Sequence, residues 1–239
     1  SMATAVTNAS TRSVRARRRN RLGAITLSES VVADAEMNGA TELMLGVVRR
    51  EGIRSLPWSD AATTTRARIR FMRARHPEWP DVSDESLAAS LEEWLAPLLD
   101  GRTSMRQLAG ELDRALLAML DWRQRAELDR LAPLQYLAPT GTHVAIDYGD
   151  PDAPSVSVRL QEMFGVTQTP TIDAGNVRLT LELLSPARRP VQVTRDLEGF
   201  WRSSYFEVRK ELRGRYPKHV WPEDPLSAAP TARAKRRGE

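Results

Sequence analysis

The sequence predicts an α+β protein with an N-terminal basic strand segment, a central helical bundle, and a C-terminal small antiparallel sheet with a long amphipathic helix. Three observations lead there. Residues 12–32 alternate at period two, residues 34–132 repeat their apolar positions at helical spacing, and after Pro133 the period returns to two before one last helical pattern. A chain of 239 residues can bury a core of ordinary size, one that removes about 70–75% of the unfolded surface from water. With no cysteine, disulfides and thiolate metal sites are excluded, and a reducing compartment such as the cytoplasm is the expectation. No run of about 18 apolar residues and no signal-peptide pattern occurs, so neither a membrane partner nor export is expected.

The boundaries expected are 1–33, 34–132, 133–226 and 227–239. Residues 1–11 are small and polar, with little to bury, and are expected to be loose. From residue 12 the chain reads as extended: Arg15, Arg17, Arg19 and Arg21 fall at alternate positions, and residues 22–27 continue as an apolar strand with Gly23 as a bulge or turn. In the helical region, residues 42–50 carry Leu43, Met44, Val47 and Val48 on one side and stop at Gly52. Ser59 or Asp60 opens a helix through Arg75, and Pro77 and Pro80 break it. Ser83 caps a third helix bearing Leu87, Leu91, Trp94 and Leu95, with Asp84 and Glu85 in its first turn. Ser104 and Gln107 resemble a capping box. Leu116, Met119, Leu120, Leu128 and Leu131 continue the bundle, with a bend near Trp122.

Residues 134–138 and 143–148 flank Pro139-Thr140-Gly141-Thr142, a hairpin signal. Residues 156–164 begin as a strand and finish as a short helix closed by Gly165; residues 177–184 alternate, and Ser185-Pro186-Ala187-Arg188 turns the chain into a further strand. Thr194 is a good N-cap for the last helix, whose Leu197, Phe200, Trp201, Tyr205, Val208 and Leu212 fall within roughly 140° of arc. Arg195, Arg202, Arg209 and Arg213 form a narrow basic stripe beside that face. Beyond it, Pro217, Pro222 and Pro225 forbid another helix, and the chain runs on as an extended strap containing Lys218, His219 and Trp221. The closing residues 227–239 form a basic tail, read as disordered.

Catalytic signatures are missing. There is no G-x-x-x-x-G-K-[ST] loop to cradle nucleotide phosphates, no G-x-S-x-G elbow and no cysteine nucleophile. His76, His143 and His219 lie far apart, and none begins an H-E-x-x-H pattern. The chain by itself is therefore expected to catalyse nothing and to hold no cofactor. Two basic features remain. The arginines of residues 15–21 suit a phosphate backbone, or else make an edge strand positive against aggregation. In the last helix Arg209 and Arg213 also favour the macrodipole, whereas Arg195 and Arg202 have no such structural reason.

Leu56-Pro57-Trp58-Ser59-Asp60-Ala61-Ala62, the block Val158-Arg159-Leu160-Gln161-Glu162-Met163-Phe164-Gly165 and the long run LTLELLSPARRPVQVTRDLEGFWRSSYFEVRKELRGRYPKHVWPEDP over residues 179–225 resemble the HrpB group of bacterial DEAH-box ATP-dependent helicases. The resemblance implies an intact protein with two RecA-like motor domains, followed by winged-helix, helical and OB-like accessory domains and then this region. ATP and Mg would belong to the motor, none of whose residues map here, and residues 12–27 would be the closing part of the OB-like portion or the exit from it. The function expected is a non-catalytic accessory region of an RNA helicase. It would assist the binding of single-stranded RNA or other nucleic acid through Arg15, Arg17, Arg19, Arg21, Arg195, Arg202, Arg209, Arg213 and Lys218. The alternative is a docking module that packs on the motor domains or another protein, with an apolar patch around Trp58 or Trp221.

Overall fold

A computed structural model describes residues 2–8, 13–22, 25–31, 39–102 and 104–232, with side chains described from residue 39 onward. The chain is α+β. It divides into two compact units, residues 1–125 and 126–239.

The first unit opens with three antiparallel strands in the order β1-β2-β3, namely Met2–Asn8, Ser13–Leu22 and Ile25–Val31. Two expectations change here. Residues 2–8 form a strand instead of a loose end, in keeping with the β-branched Thr4, Val6 and Thr7. Residues 22–27 do not run straight on, because Leu22 pairs with Ile25 across a chain reversal. Gly23 itself lies outside the described residues.

Helix α1, Ala40–Glu51, buries Met44, Leu45, Val47 and Val48 and ends at Gly52, whose positive φ of 84° and N–H to the Val48 carbonyl close it as the sequence suggests. In α2, Asp60–Arg73, the Ser59 hydroxyl accepts the Ala62 N–H at 3.2 Å. Ser83 caps α3, Asp84–Ala89, in the same way. The apolar series Leu87, Leu91, Trp94 and Leu95 is buried as expected, although it is distributed over α3, α4 (Leu91–Trp94) and the junction at Leu95 with α5 (Ala96–Leu99). The Ser104/Gln107 capping box forms, over the single 3-10 turn Met105–Leu108. Helix α6, Glu111–Ala118, and α7, Trp122–Leu131, are separate, so the bend near Trp122 is a full break.

In the second unit, β4 (Gln135–Leu137) and β5 (His143–Asp147) make the expected hairpin. Together with β6 (Ser155–Arg159), β9 (Thr180–Leu184) and β10 (Pro190–Thr194) they form one sheet in the order β10-β9-β6-β5-β4. It is mixed and not purely antiparallel, because β6 and β9 run parallel. The run 177–184 is divided at Leu179 into β8 (Val177–Arg178), which pairs with β7 (Thr171–Ile172), and β9. Burial along β6 and β9 alternates, directing Val156, Val158, Leu181 and Leu183 into the core.

The long last helix is two helices, α8 (Leu197–Arg202) and α9 (Tyr205–Arg215). The break sits on consecutive serines: the Ser203 hydroxyl donates to the Gly199 carbonyl at 2.7 Å, the local competition that weakens a helix interior. Asp196, not Thr194, is the N-cap of α8; its carboxylate accepts the Gly199 N–H at 2.9 Å, and Thr194 Oγ1 accepts the Asp196 N–H. A Cβ at Gly199 would collide with that carboxylate. Phe200, Trp201 and Tyr205 then pack with Phe164 as the aromatic core of the unit, the Trp201 and Tyr205 rings meeting at 76° with centroids 5.4 Å apart.

Candidate nucleic-acid interface

After α9 the chain reverses and lies back along the helix. The turn is set by the His219 N–H donating to the Tyr216 carbonyl and by the Trp221 indole N–H donating to the same oxygen at 2.9 Å. Prolines cannot donate, and an extended segment has no ladder of its own, so its carbonyls need donors from elsewhere. They find them in side chains and loops: Tyr205 OH donates to Pro222 O at 2.8 Å, Arg209 Nε to Trp221 O at 3.0 Å, Gln161 Nε2 to Val220 O at 3.0 Å and the Gly165 N–H to Pro225 O at 2.9 Å. Gly165 has φ +79°, and a Cβ there would press on the Ala228 carbonyl at 3.3 Å. Further on, Arg159 donates to Ala232 O. Gln161 and Arg159 were legible only as members of a family block; nothing in their spacing announces that they hold the strap.

Between α9 and the strap runs an open groove of about 550 Å³ lined by Arg209, Arg213, Pro217, His219, Trp221 and Glu223. Its cations differ in availability. Arg209 is only 19% exposed and is committed to the Trp221 carbonyl and, at 3.3 Å, to Glu223. Arg213 and Lys218 are exposed and, among the described residues, have no partner. His219 Nδ1 is buried without a hydrogen-bond partner, and burial, with Arg159 nearby, pushes the imidazole pKa below its ordinary value. The ring is therefore neutral at pH 7. Burial raises the Tyr205 phenol far above its ordinary range, so it stays a donor to the strap.

The predicted stripe does not lie on one helix. Arg195 precedes α8 and donates weakly to the Arg178 carbonyl at 3.5 Å. Arg202 ends α8 and pairs with Glu198 at 2.6 Å. The break at Ser203 puts Arg209 and Arg213 on a different helix, so the seven-residue spacing no longer aligns the four guanidinium groups. The expected apolar patch is absent at the places named for it. Trp221 is 8% exposed, and Trp58 is half-buried, with its indole N–H on the Ile53 carbonyl and the Arg66 guanidinium over its ring.

In the first unit, Arg15, Arg17, Arg19 and Arg21 occupy alternate positions of β2. That strand is the central one of three, with β1 and β3 on either side, so the edge-strand explanation for its charge fails. Arg15 and Arg17 stand opposite Val6 and Thr4, and Arg19 has Glu29 as its neighbour on β3. The tail residues 233–239 lie outside the described residues. Among the described residues no group of three or more His, Asp or Glu side chains could hold a metal ion, and no helix is long and apolar enough to cross a membrane.

Comparison with known proteins bears on this geometry. Residues 94–225 match the family model described as ATP-dependent helicase C-terminal, HrpB_C. The chain is 44% identical over 226 residues to the ATP-dependent RNA helicase HrpB of Escherichia coli K12, covering 93% of this chain but 28% of that protein. A crystal structure of the E. coli DExH-box NTPase HrpB superposes with a TM-score of 0.77 at 42% identity, over 97% of this chain and 29% of the other. A second, of the E. coli DEAH/RHA helicase HrpB, gives 0.67 at 40% identity over 92% and 28%. The chain thus spans less than a third of the length of these relatives.

Proposed function

Since the chain belongs to the HrpB family of ATP-dependent helicases and corresponds to their C-terminal region, we propose that it is a non-catalytic accessory region that helps hold single-stranded RNA or other nucleic acid beside the motor domains of a longer protein. ATP and Mg would be bound by those motor domains, in the cytoplasm, and β1–β3 would close an OB-like domain.

The observation that carries the reading is a pair of exposed cations with no partner among the described residues: Arg213, which lines the α9–strap groove, and Lys218, which stands on the strap between the lining residues Pro217 and His219. A guanidinium and an ammonium with no acidic partner among the described residues can meet phosphate oxygens, the guanidinium as a two-pronged donor. The alternate arginines of β2 supply a second basic run, since alternate positions share one face of a strand. Arg202 and Arg209 contribute little, being already engaged.

Binding of a fluorescein-labelled single-stranded RNA, followed by anisotropy at 50 mM salt, tests this. The double variant R213E/K218E is expected to bind at least tenfold more weakly, and R202E to bind within about twofold of the unaltered chain. Equal binding by the double variant would remove the groove from the account.

A further inference from the structure

Trp122 is the most exposed large apolar side chain among the described residues, at 79%. An isolated apolar residue on a surface needs no explanation. This one differs in being fixed from below and left bare above. Its backbone opens α7 behind a reciprocal cap, in which the Gln124 N–H donates to Asp121 Oδ1 at 2.8 Å and the Asp121 N–H donates to Gln124 Oε1 at 3.1 Å. Gln124 Nε2 also donates to the Glu78 carbonyl, and Arg125 Nε donates to the Leu117 and Leu120 carbonyls at 2.8 and 3.2 Å. The start of the helix is thereby tied at three places to the chain around it.

The same contacts uncover the indole. Residues three and four positions further on are the ones that cover a helical side chain. Here they are Arg125, whose guanidinium is drawn away to the α6 end carbonyls, and Ala126, which is too short to reach. What remains at the ring is a cation: the Arg123 guanidinium lies over one face of the indole, 5.8 Å from its centroid. Arg123 is exposed and, among the described residues, pairs with no carboxylate. An exposed indole on an anchored helix start, with a guanidinium over one face, fits a nucleobase with its phosphate: the base stacks on the open face of the indole and the phosphate meets the arginine.

We propose that Trp122 and Arg123 form a stacking platform for one unpaired base of a single-stranded nucleic acid, a site distinct from the α9–strap groove. The partner class is argued from the charge at the ring, because a nucleotide brings an aromatic base for Trp122 and an anion for Arg123 in a single unit.

The test compares W122A, W122F and R123A with the unaltered 239-residue chain, using a 12-nucleotide oligouridine and an abasic strand of the same length. Trp122 is exposed whereas Trp58, Trp79, Trp94, Trp201 and Trp221 are buried or half-buried, so quenching of intrinsic fluorescence by oligouridine reads this ring. The expected result is quenching by oligouridine and not by the abasic strand, its loss in W122A, and affinity weaker by about 5- to 100-fold in W122A but nearly retained in W122F. The salt slope should be unchanged in W122A and lowered in R123A. The proposal is overturned if W122A binds oligouridine as well as the unaltered chain, if the abasic strand quenches equally, or if the chain binds no oligonucleotide and W122A instead loses a protein partner. An effect of R213E/K218E without one of W122A would leave the groove standing and remove this platform alone.

Discussion

Residues 76–84 and residues 217–225 meet the same physical problem in different units. Each is a proline-containing stretch with no regular hydrogen bonding, each buries a tryptophan (Trp79 at 1% exposed, Trp221 at 8%), and each has its carbonyls satisfied by side chains of a preceding helix. In the first, Arg66 donates to the Val82 carbonyl and to Asp84, both at 2.7 Å, while Arg73 donates to the carbonyls of Pro77 and Trp79. Both guanidinium groups end on the chain's own oxygens. In the second, Tyr205 and Arg209 do that work, and Arg213, Lys218 and the buried Nδ1 of His219 are left over. The difference teaches that an arginine's place in a helix does not reveal its task. On the proposed reading, the surplus left after the backbone has been satisfied is what an outside partner would meet.

The largest effect that sharpens this comparison is expected from Trp79→Ala. Truncating a fully buried indole should cost about 4 kcal/mol in urea unfolding, through lost transfer energy and the cavity left behind. Trp221→Ala should cost about 3 kcal/mol and release the strap, seen as faster amide exchange across residues 217–225. A cost under about 1 kcal/mol would mean that the strap is not anchored by its indole, and the two segments would no longer be alike. Arg66→Ala, which leaves the Val82 carbonyl without its donor and Asp84 without its main partner, should cost about 2 kcal/mol.

Smaller and opposite in origin are the pH responses. Hydrogen bonding from Arg66, aided by Arg54, holds the Asp84 carboxyl below the usual carboxylate range despite its partial burial. Its stabilisation is therefore complete above about pH 4 and fades as the pH falls through the depressed value. His219 is a base whose pKa is lowered in the fold, so the unfolded chain takes up a proton first as the pH falls below about 6.5, and stability drops from there downward. Unfolding midpoints measured from pH 7 to pH 3 should show two separate declines. His219→Gln should flatten the upper one, and Arg66→Ala should lessen the lower one, to which the likewise lowered Asp81, Glu92 and Asp224 also contribute; a single decline insensitive to His219→Gln would contradict the burial of that imidazole.

Much of the fold was legible because its signals are local. Gly52, Ser59, Ser83 and the Ser104/Gln107 pair act within a few residues of where they stand, and each closes or opens the element expected of it. What the periodicity could not show depends on competition. Ser203-Ser204 lies within an unbroken apolar arc, yet its hydroxyl chemistry ends α8 and scatters the arginines that the arc had aligned. The parallel pairing of β6 with β9 joins residues more than twenty positions apart and has no local signature. Of the candidate site, the charge and place of Arg213 and Lys218 are legible in the sequence. The commitment of Arg209 to a carbonyl twelve residues away, and the bare indole of Trp122, follow only from where neighbouring side chains go.

The most direct test of the central claim is the salt dependence of single-stranded RNA binding by the unaltered chain and by R213E/K218E. If both leftover cations meet phosphates, the loss of affinity between 50 and 200 mM salt should be about sevenfold larger for the unaltered chain than for the double variant. Identical slopes for the two proteins would show that Arg213 and Lys218 touch no nucleic-acid backbone.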